Sequence, residues 1–205
     1  MAASILSPAD LSNVSLRRIG YKLRVSNLFE GSHAAKVLLD LYSQTRDELM
    51  RSKDWGFAER NVSPGLLKSA PQNGYLPPNF WDPAIHPALP WVFSYTYPAD
   101  CLKVRAVKAS PIFVPNFDPQ PNVFSVENDQ TYAPPQKAIL CNVPSMVLTY
   151  TGQITDPATW EADFAEAFAA ALGRRLAPAL VGLDAAKLEL QDEAAETALA
   201  ETRIG

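Results

Sequence analysis

Proline placement sets the first limit on this chain. Of its 18 prolines, 15 lie between Pro64 and Pro144. Each lacks a backbone N–H and fixes its own φ, so this stretch is closed to long helices, and its strands are confined to edges and turns. The flanking segments carry helical periodicity. The sequence therefore predicts an α+β chain in three parts. Residues 1–60 and 155–182 are expected to form a helical bundle, interrupted by a proline-rich antiparallel β insertion over 61–154, with a separate C-terminal helix over 183–205.

The first helix is marked by Ser7-Pro8-Ala9-Asp10, which places a hydroxyl cap, a proline where its missing N–H does no harm, and an acid three residues after the cap. Leu11, Val14, Leu16 and Ile19 supply its apolar stripe, and Gly20 is the expected stop. A second helix is expected from Ser32 to about Ser52. Ala34, Val37, Leu38, Leu41, Tyr42, Thr45 and Leu49 face inward, while Arg46, Asp47 and Glu48 lie towards the other side.

From Asn61 to Pro90 little periodicity survives, which implies a long loop anchored by Tyr75, Phe80 and Trp81. Alternation then predicts two antiparallel pairs. One joins Trp91–Tyr97 to Leu102–Val107 across Pro98-Ala99-Asp100, and the other joins Lys137–Asn142 to Met146–Ile154 across Val143-Pro144-Ser145. Asn122–Val126 is a further candidate strand. Asp156-Pro157 is expected to open the last long helix, in which Trp160, Phe164, Phe168, Leu172 and Leu176 recur every four residues and Pro178 marks a kink or an end. Leu183 to Ile204 carries six acids, two bases and a thin stripe of Leu188, Ala195 and Leu199 with Leu190 to one side. Such a helix needs a partner surface.

At 205 residues the chain can bury a core without staples. No run reaches the ~20 apolar residues of a membrane span, since even Ala162 to Leu172 contains Asp163 and Glu166. Met1 to Asn13 lacks a positively charged start, so a secretory signal is not expected. Cys101 and Cys141 lie in apolar, strand-like runs and are expected to be buried thiols in a reducing compartment. The formal charge of −4 argues against a tight grip on nucleic acid, which draws its affinity from a basic excess.

Reactive signatures are missing. Neither GxxxxGK[ST] nor GxGxxG occurs, and there is no GxSxG elbow or HExxH helix. His33, His86, Cys101 and Cys141 have no metal-ligand spacing, so neither metal nor cofactor is expected. Asp54 and Glu59 near Trp55 are the nearest thing to a glycosidase pair, which would need a cleft and one raised pKa. Arg17, Arg18, Lys22 and Arg24 form the nearest thing to a basic patch.

Five segments in order carry a likeness. They are Leu16-Arg17-Arg18-Ile19-Gly20, Leu28-Phe29-Glu30-Gly31-Ser32, Leu41-Tyr42 with Arg46-Asp47-Glu48-Leu49, Asp54-Trp55-Gly56-Phe57-Ala58, and Tyr95-Thr96-Tyr97-Pro98-Ala99-Asp100-Cys101-Leu102-Lys103-Val104-Arg105. Leu148-Thr149-Tyr150-Thr151 and Ile154-Thr155-Asp156-Pro157 extend it towards the alanine-rich helix. In these the chain resembles phage head-to-tail adaptor (connector) proteins, the group that includes tail tubular protein A of short-tailed phages.

The resemblance implies a non-enzymatic virion protein. It would form a dodecameric ring that binds the portal protein, extends the DNA channel and gives the tail or nozzle protein its attachment surface. Double-stranded DNA would pass without sequence-specific binding, and no membrane is involved. Its location would be the virion neck, after assembly in the host cytoplasm. The end helix would dock on the portal through Leu188, Glu189, Glu193, Glu196 and Leu199. Tyr75, Phe80, Trp81, Phe113 and Phe117 would meet neighbouring subunits or the tail. The alternative expectation is a tail-associated cell-wall glycan hydrolase using Asp54 and Glu59.

Overall fold

The computed structural model describes residues 7–72, 74–76, 78–109 and 123–182. The expected end helix, including Leu188, Glu189, Glu193, Glu196 and Leu199, lies outside the described residues, as do Phe113 and Phe117. The described chain is α+β, with three helices and two antiparallel sheets. It divides into two compact units. One takes the chain up to Phe57 and again from Ile154, and the other runs from Ala58 to Gln153.

In the first unit, α1 spans Pro8–Arg18, α2 His33–Ser52 and α3 Ala162–Leu180. The α1 start is the capping box its sequence predicts. Ser7 Oγ accepts from Asp10 N–H at 3.1 Å, and the Asp10 carboxylate accepts from Ser7 N–H at 3.0 Å. Its end is a Schellman turn: Gly20 has φ +76°, Gly20 N–H donates to Arg17 O, and Tyr21 N–H donates to Leu16 O, each at 3.0 Å. Val14 is only half-buried, whereas Ser12 and Ser15 are buried and donate to Pro8 O and Leu11 O in the preceding turn. Back-bonding removes the cost of burying those hydroxyls.

The buried face of α2 is rotated from its expected position. Ala35, Leu38, Tyr42, Thr45, Arg46 and Met50 are buried with Ala34, while Val37, Leu41 and Leu49 are half-buried. Arg46 therefore lies inside rather than on the outer side. Its stem covers apolar surface and its Nε donates to Asp47 Oδ1 at 2.7 Å.

Asp156-Pro157 opens a short 3-10 turn, Pro157–Thr159, and α3 begins only at Ala162. The cap residue of α3, Glu161, makes no side-chain cap; its carboxylate accepts instead from Phe57 N–H at 3.1 Å. Pro178 sits inside the last turn, and the helix ends two residues later.

The four-residue spacing on α3 builds the core of this unit. Phe164, Phe168, Leu172 and Leu176 are wholly buried, and Trp160 nearly so. The Phe168 ring meets Tyr42 edge-on at 4.9 Å and Trp160 at 5.2 Å, and the Phe164 ring meets Trp160 at 4.9 Å and Trp55 and Phe57 at 5.0 Å each. Each such pair adds about 0.5–1.5 kcal/mol beyond the area it buries. The indoles are fixed at their polar ends, Trp55 Nε1–H to Leu49 O and Trp160 Nε1–H to Ile154 O.

The second unit holds β1 (Glu59–Val62), β2 (Leu66–Ser69), β3 (Phe93–Thr96), β4 (Cys101–Ala109), β5 (Phe124–Asp129), β6 (Gln136–Cys141) and β7 (Met146–Gly152). One sheet has the order β1-β7-β4 and the other β2-β3-β6-β5. Tyr95, Ile139 and Cys141 from one sheet share a buried cluster with Val107, Leu148 and Tyr150 from the other. Strand β7 is buried on its second face too, where Thr149 Oγ1 donates to Asn61 Oδ1 and Thr151 Oγ1 accepts from Arg105 Nε.

Neither expected hairpin forms. β3 pairs with β2 and β6, and β4 pairs with β7, so Pro98-Ala99-Asp100 carries the chain from one sheet to the other. Val143-Pro144-Ser145 does the same between β6 and β7, with Ser145 at φ +50° and Tyr95 Oη donating to Val143 O at 3.0 Å. A tight turn between alternating runs looks the same locally in a hairpin and in a corner; the longer-range partners decide which forms. Two of those partners, β1 and β2, fall at or inside the stretch expected to be loop, where four-residue strands are too short to show a period. Phe124–Asp129 is the further strand, pairing with β6 along its length. No helix among the described residues is long and apolar enough to cross a membrane.

Gly173 marks a close approach of α3 to α1: a Cβ there would sit 3.2 Å from Ser15 O. Gly173→Val should therefore lower stability by about 2 kcal/mol in urea denaturation, as overpacking between two helices does. Gly173→Ala should cost less, because a gain in helix propensity of about 1 kcal/mol offsets the squeeze. Equal stability of Gly173→Val and wild type would contradict this packing.

Candidate functional site

The loop between β2 and β3 is braced from within. Lys68, on β2, is 5 % exposed. Its ammonium donates to Pro83 O at 2.8 Å and to Thr131 Oγ1 at 2.7 Å, and lies 2.5 Å from Asp129 Oδ2. Three contacts match the three N–H bonds of an ammonium, so a buried charge is paired and fully used. One side chain thereby joins β2, the proline loop and the turn after β5. Burial acts to raise the Asp129 carboxyl, but bonds from Lys68, Thr131 Oγ1 and Thr131 N–H outweigh it and hold the group below its ordinary value of 3.8.

Further bonds shape the loop. Asp82 O accepts from Ile85 and His86 N–H, Asp82 N–H donates to His86 Nδ1 at 3.0 Å, and Trp81 Nε1–H donates to Pro87 O at 3.0 Å. The Tyr75 ring meets His86 edge-on at 5.3 Å. Ala70 N–H donates to Val92 O, and Val92 N–H donates to Asn142 Oδ1, which close the base. Lys68, Trp81, Pro83, His86, Ser94 and Leu140 are among the residues lining a cavity of about 220 Å³ beneath it.

This bracing turns apolar side chains outward. Leu76 is 72 % exposed, Phe80 73 %, Ile85 61 % and Leu89 58 %, with Trp81 half-exposed beside them. Exposed apolar side chains grouped on one ordered loop are the mark of an interaction surface. Of the expected contact residues, Phe80 and Trp81 belong to this surface, while Tyr75 is half-buried and holds the loop. Leu76, Ile85 and Leu89 were not foreseen. Their signal is that each is an isolated apolar residue in a proline-rich run without the period that would bury it. Lys68 was missed as well, because its partners Pro83 and Thr131 lie 15 and 63 residues away and nothing in the local sequence marks the lysine as buried.

The other sequence candidates do other work or are exposed on their own elements. Cys101 and Cys141 are buried free thiols in the core between the sheets, and burial pushes both thiols up, which keeps them protonated and inert. Glu59 Oε2 accepts from Arg105 Nη1 at 3.0 Å, and Asp54 is exposed. Among the described residues no group of three or more His, Cys, Asp or Glu side chains is placed to hold a metal. Arg17, Arg18, Lys22 and Arg24 are exposed at the end of α1 and just beyond it, and Arg18 is paired with Glu166. In comparison with known proteins, no family model and no curated sequence matches this chain.

The depressed Asp129 carboxyl sets a direction for acid stability. A group whose folded pKa lies below its unfolded value contributes above the unfolded value and loses that contribution as pH falls through the folded one. The wild-type urea midpoint should therefore fall as pH drops below about 4, and Asp129→Asn should flatten that part of the decline. Lys68→Met should reduce stability at pH 7 by about 3 kcal/mol, because it strands Asp129 beside a half-filled pocket. A Lys68→Met protein as stable as wild type would show that the brace is idle.

Proposed function

We propose that this chain is a structural subunit of a phage virion neck, a head-to-tail adaptor that assembles as a dodecameric ring on the portal, extends the DNA channel and presents the tail attachment surface. In this reading the helical residues form the bundle that the β insertion interrupts, and residues 183–205 are the portal-docking helix. The observation that carries the proposal is the braced apolar surface of Leu76, Phe80, Trp81, Ile85 and Leu89. A ring subunit meets each neighbour through two different faces, and a preformed patch loses little entropy when a second copy covers it. The ordered likeness of the segments from Leu16 to Pro157 to adaptor proteins supports the same reading.

Charge distribution supports a conduit as well. Six of the 22 acids and two of the 18 bases fall in 183–205, which leaves sixteen of each in residues 1–182. The acid excess belongs entirely to the end segment. A ring wall without a basic excess gains little from counterion release and lets DNA slide.

Purified protein mixed with portal should yield a complex whose mass, read by mass photometry, adds twelve copies. Phe80→Asp with Ile85→Asp should reduce that complex at least about tenfold while leaving the monomer's circular dichroism unchanged, as expected for apolar contacts at the centre of an interface. Deleting 183–205 should leave a folded monomer that no longer joins the portal. Absence of any oligomer or portal complex from wild-type protein would overturn the proposal.

A further inference from the structure

The cavity beneath the proline loop contains a buried hydroxyl without a partner. Side chains alternate along β3: Phe93 and Tyr95 pack into the core between the sheets, so Ser94 stands on the other face, opposite Lys68 of β2 and Leu140 of β6. Ser94 is 1 % exposed, and its Oγ finds no hydrogen-bond partner among the described residues. Nearly every buried polar side-chain atom in a folded protein is satisfied, so an orphan marks a place with something further to bind. Ser94, Ala138 and Leu140 line the cavity from the sheet, and Trp81, Pro83 and Ala88 line it from the loop.

We propose that this cavity binds a small uncharged aromatic molecule carrying one hydroxyl, of the phenol class, with that hydroxyl on Ser94 Oγ. Three observations set the class. Volume is the first: a cavity of about 150 Å³ accepts benzene, so one of about 220 Å³ holds a single ring with a short substituent. The second is the lining, where an indole, prolines, an alanine and a leucine offer carbon to a flat apolar body. The indole is already fixed by its Nε1–H on Pro87 O, so that wall is preformed. Charge is the third. The Lys68 ammonium is committed to Pro83 O, Thr131 Oγ1 and Asp129, so an ionic guest would lose its water without gaining a free counter-charge from that pair. Glu127, the other acid of the lining, is exposed and accepts from Ser125 Oγ at 3.2 Å. A serine hydroxyl both donates and accepts, and so meets a phenolic O–H in either sense. His86 Nδ1 accepts from Asp82 N–H, which places the proton of the neutral ring on Nε2 and adds a second donor to the lining.

A ring seated there touches strand and loop at once. It reinforces the tie that Lys68 makes alone, and by mass action it favours the ordered form of the loop. The inference concerns the free chain and does not require the adaptor reading, because ring or portal complex formation is measured separately.

The test titrates the full-length protein with phenol and with toluene, which replaces the hydroxyl by a methyl of similar size, and follows the amide NMR shifts of Ser94, Ala138 and Leu140. Saturable shifts are expected with phenol, at an affinity about tenfold tighter than with toluene, as for a hydroxyl that pairs a buried partner. Ser94→Ala removes only an unpaired hydroxyl and should fold as wild type does. It should weaken phenol about tenfold and leave toluene within about twofold, which isolates the one contact. Ala138→Val places a methyl-rich, strand-compatible side chain in the cavity and should abolish saturable shifts with both probes while circular dichroism stays unchanged. The proposal fails if phenol produces no saturable shifts up to about 10 mM, the range a ligand of so few atoms must reach. Equal affinity for phenol and toluene, or phenol binding indifferent to Ser94→Ala, would overturn it too. Tighter binding of benzylamine than of phenol would make this a cation site on Glu127 and overturn it as well.

Discussion

The aromatic series on α3 is the constraint on which the helical unit depends. Rings at 160, 164 and 168 occupy one stripe, and each needs a partner within about 5 Å to fill the space its planar shape leaves. Tyr42 answers from α2, and Trp55 and Phe57 answer from the segment just beyond it. Those contacts explain why α2 turns its Ala35–Leu38–Tyr42–Arg46 side inward even though that choice buries a guanidinium. They also explain why Glu161 gives up capping its own helix to hold the Phe57 backbone: the exchange fixes the two chain segments that enclose Phe164. On the opposite side α3 has no bulk to offer, and Gly173 lets the α1 backbone approach directly.

The β unit depends on a different kind of constraint, the partition of its seven described strands between two sheets. Both three-residue proline turns pass the chain from one sheet to the other, so the two strands that each turn joins share a core without sharing a ladder. Cys101 and Cys141 end up inside because each stands at the strand end next to such a corner. Lys68 performs the equivalent task on the outer face of its sheet, where the long loop has no ladder of its own and polar contacts replace one.

Features encoded within a few residues could be read from the sequence. Ser7 with Asp10, Ser32, and Gly20 as a stop all appear as written, because capping involves groups three or four residues apart. The Trp160–Leu176 stripe was equally plain, since large apolar side chains at constant spacing leave one face to bury. The sheet partners were not legible. The contrast between a hairpin and a corner at Pro98–Asp100 turns on Gly152, some fifty positions away. The brace was hidden for the same reason: Lys68 and Thr131 are separated by 63 residues. The outward apolar surface was legible in part. Phe80 and Trp81 stood out by size, whereas the exposure of Leu76, Ile85 and Leu89 shows only in the folded loop.

Among the described residues, three of the outer strands carry charge that reaches solvent: Glu59 and Arg60 on β1, Lys103 and Lys108 on β4, and Glu127 on β5. Charge along a strand margin penalises the addition of another strand, which is the route by which sheets from separate molecules join without limit. Contacts between copies are thereby left to side chains and surface shape. Association through shape has a set angle and can close on itself, whereas association through ladders grows into fibres. The charged margins thus bear on whether an assembly of this chain is finite.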